Sequence, residues 1–480
     1  MPVVSAHQVS LERRRSRIAR LVFTLYLATL SVDAIRKVTG APASILGIVY
    51  VITALIYIAV FPGNAGRRRE AQEAVPRMLP VWLFMLSLWC LAVALVQHVP
   101  LQMAFLGWAS YVFFVPLFYV GAELAADDRL TVKALRVMAR SGGVIAVGVI
   151  GSAVLGQSAP ALLQPIIPAV GIHSSSAGNI YLAPSIFATS EEASEQLLIA
   201  LFAWAALAYP ASGKSSHRLS TFLLLLTSLG LIEAARRTDI YVAIGGIIAA
   251  LMVGRIRAPS SVGRFAARAR GKAPRRFAVA IILAVAGAVA CAALVGGARL
   301  ASFLTSGSPE SRIAAIFALH GTGSPIGQGP GTSTQGAIVI GAQSLGGGSV
   351  QGYVLDGRTF ITVEGGLGKT WLELGIVGVA LYGAVFWTAL APAIGSLRRL
   401  DGVGAALTVL AIALGIVFLK GHQSLDDPLI QPLFWLCVGG IWGRASAGRV
   451  RSESRPDAGS SRTGISADMA PKIRWGVLPR

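Results

Sequence analysis

The chain is poor in charge, and what charge it has is seldom acidic. Of 480 residues only 13% are Asp, Glu, Lys or Arg, against about 25% in an ordinary soluble domain. A soluble fold of this size could not cover its surface with so few charged groups. There are 22 acidic residues against 42 basic ones, and no Asp-rich run suggests a cation cluster. Cysteine is scarcer still: Cys90, Cys291 and Cys437 each lie inside an apolar stretch and no CxxC occurs, which excludes a disulfide framework and a thiolate metal site. The six histidines include His173, His320 and His422, none with a partner at ligand spacing, so no metal is expected. The formal charge of +20 has no basic stripe interleaved with stacking aromatics, and nucleic acid is not expected as a partner.

Apolar sequence is what the chain has in abundance. Hydrophobic residues make up 54% of it and the mean hydropathy is +0.66. Stretches of about 17–22 apolar residues recur throughout, each long enough to cross a hydrocarbon core roughly 30 Å thick. The pattern predicts an all-α, polytopic integral membrane protein with about twelve transmembrane helices. The spans fall near 18–37, 43–61, 79–97, 102–124, 141–157, 195–211, 218–235, 239–254, 277–297, 366–394, 403–421 and 428–443. Arg13, Arg14, Arg15, Arg17 and Arg20 precede the first of these, and Asp33, Arg36 and Lys37 close it, which reads as an uncleaved span rather than a signal peptide.

Placing the N-terminus in the cytoplasm puts 33 of the 42 lysines and arginines on the inner side. By the positive-inside rule both termini are then cytoplasmic. The chain divides into a basic N-terminus (1–17), a membrane domain (18–443) with two long external loops (158–194 and 298–365), and a tail rich in Arg, Ser and Gly (444–480) expected to be disordered. Loops of such length are usually functional or disordered, so a site is expected there, above all in the large loop between the ninth and tenth spans. The first loop ends in Thr189-Ser190-Glu191-Glu192, a helix-start signal.

The few external cations need a reason. Arg236 and Arg237 lie in Glu233-Ala-Ala-Arg-Arg-Thr-Asp239 on the outer face. Pairing with Glu233 and Asp239 would satisfy them structurally, and a phosphate or pyrophosphate, which guanidinium groups grip bidentately, would satisfy them functionally. Arg312 follows Ser308-Pro-Glu310 at the start of a short amphipathic helix, with Glu310 as a local ion-pair alternative. Downstream, Gly321-Thr-Gly-Ser-Pro-Ile-Gly-Gln-Gly-Pro-Gly331 is a glycine-rich turn but no Walker A loop, since no Gly-Lys-Ser/Thr closes it. Glu364 stands before the tenth span in Glu364-Gly-Gly-Leu-Gly-Lys-Thr-Trp-Leu-Glu-Leu-Gly375. Partial desolvation at the membrane surface would suit it to general-base work, and a helix N-terminus would equally favour a merely structural carboxylate there. Glu373 is a turn or two deeper, with Lys369 as its i−4 helix partner.

Taken in order, these pieces resemble the bacterial O-antigen polymerase and O-antigen ligase superfamily, polytopic glycosyltransferases of the Wzy and WaaL type. The resemblance covers residues about 190–440. It rests on Ala235-Arg-Arg-Thr238 after a central span, Arg312 at the opening of a large external loop, Gly327-Gln-Gly-Pro-Gly331, and Glu364-x8-Glu-Leu-Gly-Ile-Val-Gly378 leading into a span. It implies a metal-independent enzyme without a cofactor, acting on an undecaprenyl-pyrophosphate-linked glycan at the periplasmic face of the inner membrane. Arg236 or Arg237 and Arg312 would bind pyrophosphate, Gly327, Gly329 and Gly331 would shape the loop, and Glu364 would activate the acceptor hydroxyl, with His320 as the alternative base. Ligases of the family carry a histidine near the position of Glu364, so a polymerase joining repeat units is the first reading. A ligase transferring glycan to lipid A-core or protein is the second. A chain-length regulator and a flippase of the same pathway are the expected partners beside membrane lipids. A flippase or transporter is disfavoured, because the external charges gather at one face instead of lining a mid-membrane cavity, and a non-catalytic assembly partner would leave the arginines replaceable.

Overall fold

The structure is a computed structural model of the whole chain. It describes residues 6–40, 47–60, 78–125, 127–165, 172–175, 178–181, 183–187, 189–207, 217–234, 325–333, 343–345, 350–355, 358–363, 365–396, 402–420 and 430–453, with 45, 76, 243, 245, 246, 248, 252 and 400. Among the described residues the apolar segments are helical. In chain order the helices are α1 (Ala6–Thr39), α2 (Gly47–Val60), α3 (Leu79–Val96), α4 (Leu101–Trp108), α5 (Leu117–Leu124), α6 (Asp128–Leu155), α7 (Ser190–Leu207), α8 (His217–Glu233), α9 (Gly366–Ser396), α10 (Gly402–Lys420) and α11 (Ile430–Glu453). Among the described residues five helical stretches are long and apolar enough to cross a membrane: Glu12–Thr39, Leu79–Val96, Leu101–Leu124, Asp128–Ser158 and Gly366–Gly395. Shorter apolar helices cover Gly47–Val60, Phe222–Glu233 and Val403–Phe418. The expected span 277–297, and most of 239–254, lie outside the described residues.

Several boundaries differ from the sequence expectation for identifiable reasons. Residues 128–140, expected as a cytoplasmic connection, are the first turns of α6. Asp127 starts them by accepting from the Arg129 and Leu130 amides, which satisfies two of the donors a helix N-terminus leaves open. Once capped, the basic stretch continues into the apolar one, giving a 28-residue helix that extends about 42 Å. Likewise α1 begins within the basic N-terminus and α11 runs to Glu453. The fourth span is one interrupted unit: Pro116 has no amide to donate, and the chain before it widens into a π-turn over Ala109–Phe113. The Tyr57 hydroxyl donates to the Phe113 carbonyl at this interruption. Thr189 takes the cap position at α7, its hydroxyl accepting from the Glu192 amide at 3.3 Å.

The two segments expected as external loops contain short strands. Strands β1 (Ile172–Ser175) and β2 (Gly178–Tyr181) form an antiparallel hairpin with Ile172 opposite Tyr181. In the second segment β3 (Gln343–Leu345), β4 (Val350–Leu355) and β5 (Arg358–Val363) form an antiparallel sheet in sequential order. The sheet leads into α9 within two residues of Val363.

Packing among the helices centres on α7, which lies against α6, α8 and α10. It is buried on every side from Ala193 to Ala203, as an internal helix of a bundle must be. The backbones of α5 and α11 cross closely. A Cβ on Gly439 would stand 1.8 Å from the Phe118 carbonyl oxygen, and one on Gly443 would stand 2.2 Å from that of Ala122. This Gly439-x3-Gly443 pair is the small-residue spacing by which membrane helices bring their backbones together. By contrast, Val81, Phe84, Met85, Leu88, Leu91 and Leu95 of α3 are exposed, while Leu79, Leu83, Leu86 and Cys90 are buried. A helix apolar on its exposed face as well as its packed one is solvated by lipid. The chain is a helical membrane protein.

Polar contacts collect at the two ends of the bundle. At one end Arg14 of α1 donates to the Val60 carbonyl at the end of α2 and pairs with Glu123 of α5 at 3.1 Å. Arg444 of α11 pairs with Asp128 at the start of α6 at the same end. At the other, Asp33 pairs with Arg36, and Lys37 donates to the carbonyls of Leu162 and Ser185. Two of the cations expected on the outer face are thereby given partners, since Lys37 ties the segment between α6 and α7 to α1.

Candidate functional site

The glycine-rich turn and the broken start of α9 form one unit. Inside α9, Gly375 takes φ 65° and ψ −168°, so the helix stops after Leu374 and restarts at Ile376. In an unbroken helix the carbonyls of Leu372, Glu373 and Leu374 would accept from residues four positions on. Here other groups satisfy them: the Gln328 amide donates to Leu372 at 2.6 Å and the Gly329 amide to Glu373 at 2.9 Å, and the Trp89 indole donates to Leu374 at 2.8 Å. The freed Ile376 amide donates to the Pro325 carbonyl at 3.2 Å. Irregular backbone inside a membrane protein persists only where its polar groups are matched in this way.

Glycine is required for the fit. Gly327, Gly329 and Gly331 adopt φ of 88°, 115° and 86°, a region that residues with a Cβ seldom enter. Space forbids a side chain as well: a Cβ would approach the Glu373 carbonyl oxygen to 2.4 Å at Gly327, Val99 Cγ2 to 2.2 Å at Gly329 and the Met103 carbonyl oxygen to 2.1 Å at Gly331. The turn is therefore wedged between α9 and the corner that links α3 to α4. Gln97 at that corner donates to the Gly327 carbonyl at 2.7 Å, and Thr332 closes the turn by donating to Gly329 at 2.7 Å.

Beneath the turn lies a group of buried polar side chains. Glu373 is fully buried. Its Oε1 accepts from the Ser333 amide at 2.8 Å and its Oε2 from the Tyr111 hydroxyl at 2.9 Å. Lys369 is one helical turn earlier on the same face, also fully buried, with Nζ 5.4 Å from the centre of the Tyr111 ring. That distance is within cation–π range. Tyr111 stands on the π-turn of the fourth span and meets Tyr382 of α9 edge-on at 5.2 Å. Gln431 at the start of α11 donates to the Ser110 carbonyl. The cluster thus ties the fourth span, α9, α11 and the glycine turn together. A buried carboxylate and a buried ammonium are costly unless matched, and π-turns within helices mark functional places more often than chance.

Of the residues singled out from the sequence, Gly327, Gly329 and Gly331 are brought against the Glu373-Leu-Gly375 signature. Arg236, Arg237, Arg312, His320 and Glu364 lie outside the described residues. Sequence reading treated Glu373 only as a helix partner of Lys369, and missed Tyr111, Trp89 and Gln97. The one available signal was a carboxylate and an amine, four residues apart, inside an otherwise apolar span. Among the described residues no group of three or more His, Cys, Asp or Glu side chains is placed to hold a metal ion, and Cys90 and Cys437 are buried free thiols. Compared with known proteins, the chain matches no family model and no curated protein.

Proposed function

We propose that this protein is a membrane glycosyltransferase that polymerises undecaprenyl-pyrophosphate-linked oligosaccharide repeat units at the periplasmic face of a bacterial inner membrane, in O-antigen, capsule or exopolysaccharide assembly. The observation that carries the reading is the docking of Gly327-Gln-Gly-Pro-Gly331 on the Glu373-Leu-Gly375 break. Two sequence pieces on which the resemblance rests, far apart in the chain, prove to be parts of one structure. The excess of Lys and Arg on one side supports the orientation. So does the pairing of Arg14 and Arg444, near the two chain ends, with Glu123 and Asp128 at one end of the bundle.

The chemistry follows from the donor. An acceptor hydroxyl attacks the anomeric carbon of the lipid-linked glycan, the carbon–oxygen bond to pyrophosphate breaks, and undecaprenyl pyrophosphate leaves with the electron pair. Arg312 and Arg236 or Arg237 neutralise the charge that develops on the leaving group, as fixed guanidinium groups do without reorganisation. Glu364 takes the hydroxyl proton, with His320 as the alternative acceptor.

A strain lacking the gene, rescued with wild type or Arg312→Ala, tests the reading. Single repeat units are expected to accumulate on the lipid in the deletion, long chains to return with wild type, and Arg312→Ala to fail. Long chains persisting on the lipid while the final acceptor stays bare would make the protein a ligase. Unchanged glycans at every stage would exclude both.

A further inference from the structure

We propose that Glu373 is a positioning residue for this transfer site: its carboxylate locks the end of the glycine turn onto the membrane domain. The inference rests on the glycosyltransferase reading. Glu373 holds the turn twice, through its backbone carbonyl to the Gly329 amide and through Oε1 to the Ser333 amide. Oε2 is held in turn by the Tyr111 hydroxyl, so both carboxylate oxygens are engaged. The fully buried Lys369 stands one helical turn earlier, beside the same tyrosine ring. Charge-assisted bonds of this kind are stronger than neutral ones, and here one spans the seam between an external segment and a broken membrane helix. In the sequence, Arg312 and His320 precede the clamped turn and Glu364 precedes α9, so the residues assigned to the chemistry adjoin in the chain the two elements that Glu373 joins. A carboxylate without a single exposed atom does not itself meet substrate.

The test is amide exchange on the full-length protein in lipid nanodiscs, resolved to single residues, beside glycan sizing in the rescued deletion strain. Glu373→Leu should speed exchange of the Ser333 amide by about tenfold, the loss of one charge-assisted bond, and leave the amides of 376–396 unchanged. The same variant should yield short glycans. Glu373→Gln keeps an oxygen for Ser333, and its amide group can donate to the Tyr111 oxygen; it should restore both protection and long chains. Unchanged Ser333 exchange in Glu373→Leu would overturn the proposal. So would Glu373→Gln with the turn protected and glycan synthesis lost, because the carboxylate would then act chemically. If Glu373→Leu fails to fold, Tyr111→Phe serves instead: Ser333 exchange about threefold faster supports the clamp, and no change overturns it. A deletion strain with normal glycans would remove the transferase reading while the exchange result still stood.

Discussion

Three glycines in a polar turn invite the reading of a flexible linker, yet Gly331 has no freedom to lose. It combines φ of 86° with a Met103 carbonyl that would stand 2.1 Å from any Cβ, while the Cβ site of Gly107 in α4 is filled by Gly331 itself. Gly331→Ala therefore faces both a left-handed conformation, at roughly 1–2 kcal/mol, and overpacking against backbone at roughly 1–3 kcal/mol. Gly383, in the second half of α9, has nothing within 4 Å of its Cβ position, and alanine there gains helix propensity. Thermal unfolding of the purified protein should show a lowered Tm for Gly331→Ala and an unchanged or raised one for Gly383→Ala; equal effects would mean that the turn is not wedged. The importance of these glycines was legible from their position before a span. The role of Glu373 was not, because its partners are a tyrosine far upstream and a backbone amide in another segment, and neither leaves a local pattern.

Among the helices, α9 and α11 show what an apolar run conceals. The stretch Leu372 to Gly378 reads as uninterrupted span, and only φ at Gly375 reveals two half-helices with their polar groups taken up by Pro325, Gln328, Gly329 and Trp89. The charged stretch 128–140 misled in the opposite sense, since basic residues there suggested a connection although the Asp127 cap starts a helix. Gly439 and Gly443 stand four residues apart in an apolar run, a small-residue pair legible in the sequence itself. That pair yields a prediction for the element. Gly439→Leu should drive α11 away from the Phe118 carbonyl, 1.8 Å from its Cβ position, and give protein that aggregates in detergent and unfolds early. Gly415→Ala in α10, whose nearest neighbour is Phe434 Cε2 at 3.6 Å, should behave as wild type by size-exclusion profile and Tm. Matching profiles for the two variants would contradict the backbone contact between α5 and α11.

At the scale of the whole molecule, the bundle has two unlike ends. One carries the ion pairs Arg14–Glu123 and Arg444–Asp128; the other carries Lys37 on the segment between α6 and α7, and the glycine turn against Gln97 and α9. Membrane character was plain from composition, because 54% hydrophobic residues leave no other solvent for so many helices. The short strands within 172–181 and 343–363 were not, because Gly and Ser mask a strand pattern. Orienting donor and acceptor and neutralising the leaving group are what transfer from a lipid-pyrophosphate donor asks of a protein. The most direct measurement is to mix the purified protein with lipid-linked single repeat units extracted from the deletion strain, without nucleotide sugars, and to size the products. A ladder of lipid-linked multiples, formed with release of undecaprenyl pyrophosphate, is the predicted result; single units recovered unchanged would contradict it.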